Sequence, residues 1–332
     1  MSEIPAGAMR FNSDSQKLEY WNGSAWFQVH TQQTHSGTPR ATFFGGTTPT
    51  TVNTIDYVEI TTTGNAVDFG DLRETSKWCT ADAASHVRGY RFGGTVDPVT
   101  DKIDTWNFAT TGDATDFGTL TDSRLAHAGF SNAVRGIVGG GNPTNSATKN
   151  SSIETINLAT TGESTAFGDT LNAATAGLIG TANQTRGLFA GGYTPSRSSL
   201  VEYVTIASTG TVATWGNLTE VRQEPAGACS NQVRALVGAG STSGGATKKI
   251  DMLTVATTGT AQIFGDLSTA CNSCMGGTNN PTRGLFGGVG GPGANNVIEY
   301  VTIMSGGNAI DFGDLTVSRQ IGSSCSNVHG GL

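Results

Sequence analysis

Three short stretches hold residues whose types and spacing could do chemistry. Asp311-Phe312-Gly313 is the tripeptide with which protein kinases hold a catalytic magnesium. Gly288 to Gly293, GVGGPG, has the glycine pattern of a dinucleotide-phosphate cradle. Cys271 and Cys274, in CNSC, stand at the spacing of half a zinc site or of a redox pair. Each reading depends on its surroundings. Asp-Phe-Gly occurs three times, at Asp68, Asp116 and Asp311, while Ala166, Thr214 and Ile263 replace the aspartate in the other copies. A magnesium ligand occurs once, beside a glycine-rich loop and a catalytic Asp–Asn segment, and neither is found here. GVGGPG contains Pro292 and joins two strand-like runs, with no helix to present amides to a phosphate. No second cysteine pair follows CNSC, and the histidines (His30, His35, His86, His127, His329) are scattered. Cys271 and Cys274 therefore read as small buried residues of an inner strand. The five cysteines, with Cys79, Cys229 and Cys325, read as free buried thiols. No Ser–His–Asp arrangement can be placed. The expectation is a protein without enzymatic activity, cofactor or metal.

What the tripeptide marks is a repeat. Its aromatic–Gly step recurs at Phe69, Phe117, Phe167, Trp215, Phe264 and Phe312, at intervals of 48 to 50 residues. Five residues before each aromatic stands Gly64, Gly112, Gly162, Gly210, Gly259 or Gly307. An arginine opens an apolar, glycine-ended run in every copy: Arg40, Arg88, Arg135, Arg186, Arg234 and Arg283.

The elements that position these markers are strands. Charged residues make up 14 % of the chain and glycine contributes 47 of its 332 residues, a composition poor for helices and suited to short strands and tight turns. In the fourth copy RGLFAGG, the alternating LVEYVTI, TVATWGNL and the small-residue run AGACSN give four strands, with Gly210 expected to supply a positive φ in the hairpin between the second and third. Four antiparallel strands per unit match the blade of a β-propeller. The first copy lacks a small-residue strand and the C-terminus has one spare. Residues Ile321 to Asn327 are therefore expected to pair beside the strand from Arg40 and latch a six-bladed ring, which removes exposed sheet edges.

At these residues the chain resembles the kelch family of propellers. The resemblance lies in the doublets Gly45-Gly46, Gly93-Gly94, Gly191-Gly192 and Gly287-Gly288, in the aromatic near the end of the fourth strand, and in Arg124, Arg222 and Arg319 beyond it. It spans residues 40 to 332 and is degenerate, with VGAG in the fifth copy. It implies an architecture and leaves function open.

Residues 1 to 30 belong to no repeat. Alternation predicts strands at Met9–Asn12, Lys17–Trp21 and Ala25–Val29, with a hairpin at Asn22-Gly23. Phe11, Tyr20, Trp21, Trp26 and Phe27 are too many large aromatics for so small a piece to cover, so they are expected to anchor it on another subunit or a host surface, the alternative being a flap packed on its own propeller. Residues 31 to 39 read as a linker. PAGAMRFNSDSQKLEYWNGSAWFQV resembles an N-terminal module of tail-fibre and other virion proteins of tailed bacteriophages, especially those of marine cyanobacteria, through RFNS, KLEYWNG and AW. The TTG and FGDL repeats are similar to sequences of such phages. The resemblance implies a virion protein assembled in the host cytoplasm. It would be a tail or baseplate fibre, or else a capsid fibre or head decoration, held by other virion proteins and able to form a homotrimer. A host-surface glycan or protein would be its distal partner. A glycan-active enzyme working through a propeller channel is the competing class.

A net charge of −7 gives no reason to expect nucleic-acid binding. No apolar run approaches the ~18 residues of a membrane span, and no basic-then-apolar secretory signal opens the chain, so no membrane insertion is expected. Asp71, Asp169, Asp266 and Asp314 recur at one repeat position, which suggests turn hydrogen bonding. The six repeat arginines read as strand-end residues that cap carbonyls or pair with these aspartates. The connections after the Gly-Gly strands, such as NPTNSATKNSS and YTPSRSS, vary from copy to copy. Antiparallel order places them on one rim with those after the aromatic–Gly strands, the face where recognition is expected.

Overall fold

The computed structural model describes residues 4–12, 17–28, 37–78, 83–95, 98–143, 149–169, 175–210, 212–224, 227–291 and 293–332. Val29, His30, His35, Cys79, Pro292 and the side chain of Asp169 lie outside the described residues. The chain divides into two compact units, Met1–Thr38 and Pro39–Leu332. It is all-β, and no helix occurs among the described residues.

The first unit is a three-stranded antiparallel sheet of Met9–Asn12, Lys17–Trp21 and Trp26–Gln28. Its hairpin is set by Asn22, whose Oδ1 accepts the amides of Ser24 and Ala25, and by Gly23 at φ 104°.

Among the described residues the second unit is built of six main sheets, none closed on itself, each with four antiparallel strands in one order, and a two-stranded sheet of Thr47–Thr48 and Thr50–Thr51. Sheet one holds Ser323–Ser326, Arg40–Phe44, Thr54–Glu59 and Val67–Asp71. Sheet two holds Ala83–Ala84, Arg88–Phe92, Lys102–Asn107 and Thr115–Thr119. Sheet three holds Ala128–Ser131, Arg135–Gly139, Ser152–Asn157 and Thr165–Asp169. Sheet four holds Ala176–Ala182, Arg186–Tyr193, Ser198–Thr205 and Ala213–Arg222, with Gly259–Thr260 added in parallel at its edge. Sheet five holds Gly227–Ser230, Arg234–Thr242, Gly245–Thr254 and Gln262–Cys271. Sheet six holds Gly276–Asn279, Arg283–Gly287, Asn295–Thr302 and Ile310–Arg319.

The spare C-terminal strand lies beside the strand from Arg40, in the register Ser323 with Phe44 and Ser326 with Ala41. The core forms between neighbouring sheets. Phe43 of sheet one packs with Leu285 and Ile298 of sheet six, and Phe130 of sheet three with Phe189 of sheet four at 4.9 Å. Sheets buried on both faces need the apolar, nearly uninterrupted first and second strands observed here.

Two local expectations are corrected. Gly210 is not among the positive-φ glycines, which include Gly64, Gly112, Gly162 and Gly307; its hairpin turns without a left-handed residue there. Asp71, Asp266 and Asp314 lie within fourth strands and not in turns. Their carbonyls accept the amides of Ala114, Ala309 and Ala66 in the neighbouring sheets, a main-chain contact that Thr119 and Asn217 make in other copies.

Candidate functional site

The repeat markers meet at the seams between sheets. The amides of Gly112, Gly162, Gly210, Gly307 and Gly64 donate to the carbonyls of Phe69, Phe117, Phe167, Phe264 and Phe312, each in the preceding sheet, with Phe312 of sheet six preceding Gly64 of sheet one. Between sheets four and five the same approach is the short parallel pairing of Gly216 with Gly259. A Cβ on Gly313 would stand 2.3 Å from the Gly64 oxygen, and one on Gly118 1.9 Å from the Gly162 oxygen. That approach is why a glycine follows each aromatic. The aromatics Phe69, Phe117, Phe167, Trp215, Phe264 and Phe312 are all buried beside it.

The repeat arginines work on the same seams. Arg40 donates to the Phe108 carbonyl at 2.7 Å. Arg135, Arg186, Arg234 and Arg283 each donate to two carbonyls of the following sheet, ending with Ile60 and Thr61 of sheet one. In sheet two the Tyr90 hydroxyl donates to the Leu158 carbonyl at 2.6 Å.

A second set of charges was not singled out in the sequence. Every third strand carries one buried acid: Asp56, Asp104, Glu154, Glu202, Asp251 and Glu299. Asp56 accepts the amide and hydroxyl of Thr316 at 3.2 and 2.6 Å and Arg319 Nη2 at 2.6 Å, all from sheet six. Asp251 is held the same way by Thr219 and Arg222 of sheet four, and Glu154 by the Thr121 amide and Arg124 from sheet two and by the Ser164 hydroxyl. Burial lowers the guanidinium pKa of Arg124 and Arg319, against the upward pull of their acids. Where sheet one has Ser76 at the arginine's place, Arg91 comes from the opposite side, bonding Ser76 Oγ at 3.2 Å and pairing with Asp104 at 2.9 Å. Sheet five has Cys271 there, and Glu299 is held by the Ser268 amide and hydroxyl. The signal was present as ID, IE or VE in every central strand.

At the junctions from fourth strand to next first strand stand Trp78, Ala126, Gly177, Glu224, Ser273 and Ile321, all left-handed with φ between 49° and 66°. Their amides pass hydrogen bonds in sequence: Ala126 to Trp78, Gly177 to Ala126, Glu224 to Gly177, Ile321 to Ser273 and Trp78 to Ile321. Ser273 Oγ donates to Glu224 Oε2 at 3.1 Å. All six surround one cavity of ≈ 20 Å³, room for about one water. Beside it opens a depression of ≈ 560 Å³ lined by Trp78, Asn142, Lys149, Tyr193, Arg197, Gln223 and Glu224 over a floor of Leu125, Ala126, Ala176 and Gly177. Lys149 and Arg197 come from variable connections and Trp78 and Glu224 from junctions, so both sets of connections emerge on one face.

The other ends of the first strands are crossed by residues 329–332. His329 Nε2 lies 3.1 Å from both Ser131 Oγ and the Ala84 carbonyl. Gln232 donates to the Gly330 carbonyl at 2.8 Å and Gln184 to that of Leu332 at 3.0 Å. Burial holds His329 down to about 4 and His127 down to about 3, so both are neutral at pH 7.

The cysteines depart from expectation. Cys271 and Cys274 form a disulfide at the end of the fourth strand of sheet five and in the junction after it, not in an inner strand. Cys229 and Cys325 are buried thiols of first strands. No group of three or more potential metal ligands occurs among the described residues. Gly288 to Gly291 join two strands, with no helix beside them.

In the N-terminal unit Phe11, Tyr20 and Phe27 are exposed, Phe11 by 66 %, together with Met9 and Leu18. Tyr20 stacks on Phe27, and Trp21 lies 5.5 Å from Trp26. Glu19 is held below the usual carboxylate range by the Asn12 amide and by Arg10. No protein-family model matches the chain, and no curated protein matches it.

Proposed function

We propose that residues 40–332 close as a six-bladed kelch-like β-propeller and that the chain is a non-enzymatic virion structural protein of a bacteriophage. It is displayed as a tail or baseplate fibre or appendage and contacts the host surface. Closure is supported by three series of seam contacts, each of which includes a step from sheet six to sheet one: Gly64 to Phe312, Arg283 to Ile60, and Arg319 to Asp56. The virion role rests on one observation above the others, the exposed apolar side chains of the small N-terminal sheet. A sheet of three short strands that leaves Met9, Phe11, Leu18, Tyr20 and Phe27 in water needs a partner surface. Other virion proteins, with trimerisation as one arrangement, supply it in this reading.

An enzyme acting on glycans would need free acids converging on a channel. The six acids of the third strands are buried, and Asp56, Glu154 and Asp251 are spent on seam hydrogen bonds. The cavity among the junction residues is ≈ 20 Å³. Asp71, pushed up by burial and by the charges of Asp113 and Asp68, is not among the residues lining that cavity or the depression. These facts favour a rigid display scaffold.

Gold labelling of intact phage particles with an antibody against residues 39–332 tests the proposal. Label on tails or baseplates is expected. Label on heads would replace the appendage by a capsid fibre or decoration protein, and unlabelled particles would overturn the virion reading.

A further inference from the structure

The depression on the junction face carries two cations and one acid. The chain as a whole carries a net charge of −7, yet Lys149 and Arg197 share this hollow with a single acid, Glu224. Neither cation has an ion-pair partner among the described residues, whereas the buried Arg91, Arg124, Arg222 and Arg319 are all matched to acids. Lys149 stands 4.8 Å over the Tyr193 ring, and among the described residues the Arg197 guanidinium makes one hydrogen bond, from Nη2 to Ser241 Oγ at 3.2 Å. Glu224 is occupied, accepting from Ser273 at 3.1 Å and Gln223 at 3.3 Å. Two unmatched cations therefore face solvent beside two aromatic rings, the 39 % exposed Tyr193 and the half-buried Trp78.

We infer that this depression binds a saccharide bearing a carboxylate. Its volume of ≈ 560 Å³ falls in the ~300–1,000 Å³ range of ligand sites. The cations take the carboxylate as charge-assisted hydrogen bonds. The Trp78 ring covers the apolar C–H face of a sugar, Tyr193 holds Lys149 in place from beneath, and the Asn142 and Gln223 amides meet hydroxyls. The floor of small residues, Ala126, Ala176 and Gly177, keeps the hollow open. This rests on the host-contact reading above and specifies its ligand.

Calorimetric titration of the full chain with a galacturonic-acid trimer, at low salt, tests it. The expected result is saturable binding that weakens as salt rises, is at least tenfold weaker for Lys149→Glu and for Arg197→Glu, and is unchanged for Lys248→Glu. Tyr193→Ala, with an unaltered melting temperature, should also weaken it. Equal binding of a neutral galactose trimer, or of acetate alone, would overturn the inference, as would no binding by the unmodified chain. The titration reads the site and the gold labelling reads location, so either can fail without the other.

Discussion

Arg319→Ala removes the cationic half of the buried ion pair that joins sheet six to sheet one. Asp56 is fully buried and would lose Arg319 Nη2 at 2.6 Å, keeping only the Thr316 amide and hydroxyl. The Gly45 carbonyl would also lose its Arg319 donor, and the Thr54 carbonyl would keep only the Gly45 amide. Breaking a buried pair by deleting one partner costs ~3–5 kcal/mol, because the other charge stays desolvated. An exposed pair costs ~0–1 kcal/mol. At about 2–3 °C per kcal/mol for a unit of this size, the melting temperature should fall by roughly 6–15 °C. The comparison that matters is with Arg222→Ala, which breaks the equivalent pair with Asp251 between sheets four and five. Sheets four and five follow each other in the chain, whereas sheets six and one meet only if the circle closes. Equal losses in urea and thermal unfolding are expected. A loss below about 1 kcal/mol for Arg319→Ala, with a full loss for Arg222→Ala, would show the six–one seam to be solvated and would refute closure.

Gly313→Ala places a methyl 2.3 Å from the Gly64 oxygen at φ 149° and should cost ~2–4 kcal/mol, while Gly64→Ala meets no atom within 4 Å and should cost ~1 kcal/mol; equal losses in chemical denaturation would contradict the seam account. Deletion of residues 320–332 removes the strand paired with Arg40–Phe44, and loss of cooperative melting is expected; an unchanged melt would sink the latch. His127 and His329 are held at about 3 and about 4 in the fold against ~6.5 in the unfolded chain. The unfolded state therefore binds more protons below pH 6.5, so stability is full above that pH and falls toward pH 4, by up to ~1.4 kcal/mol per pH unit per histidine. Urea unfolding at pH 7.5 and 5.0 checks this, and His329→Gln should flatten the profile; a flat profile in the unmodified chain would refute it.

Much of this architecture was legible because the seams impose identical demands on every repeat. Phe312-Gly313 recurs as a motif because two backbones touch there, and a contact of that kind admits no side chain. The pairing of Ser323–Ser326 with Arg40–Phe44 followed from counting strands. The buried acids are not legible from alternation alone, because LVEYVTI sets Glu202 on one face of its strand and carries no mark of what covers that face. Both faces of these sheets are covered, so an acid there must be matched inside the protein. The depression was half legible. Lys149 and Arg197 sit in connections whose variability pointed to a working face. Trp78 and Glu224 stand at junctions without a sequence marker, where left-handed backbone brings them to the same hollow. The Cys271–Cys274 bond could not be read from spacing, since the same spacing suits a metal pair or free thiols.

Closure can be tested with one engineered sulfur. Thr42 lies directly opposite Cys325 in the paired strands, with Thr42 Oγ1 3.4 Å from Cys325 Sγ. Thr42→Cys in a Cys79→Ser background, refolded under mild oxidation and digested, should yield one peptide pair joined through residues 42 and 325 within a single chain. Peptides that stay unlinked, or that link only between chains, would contradict the closed ring.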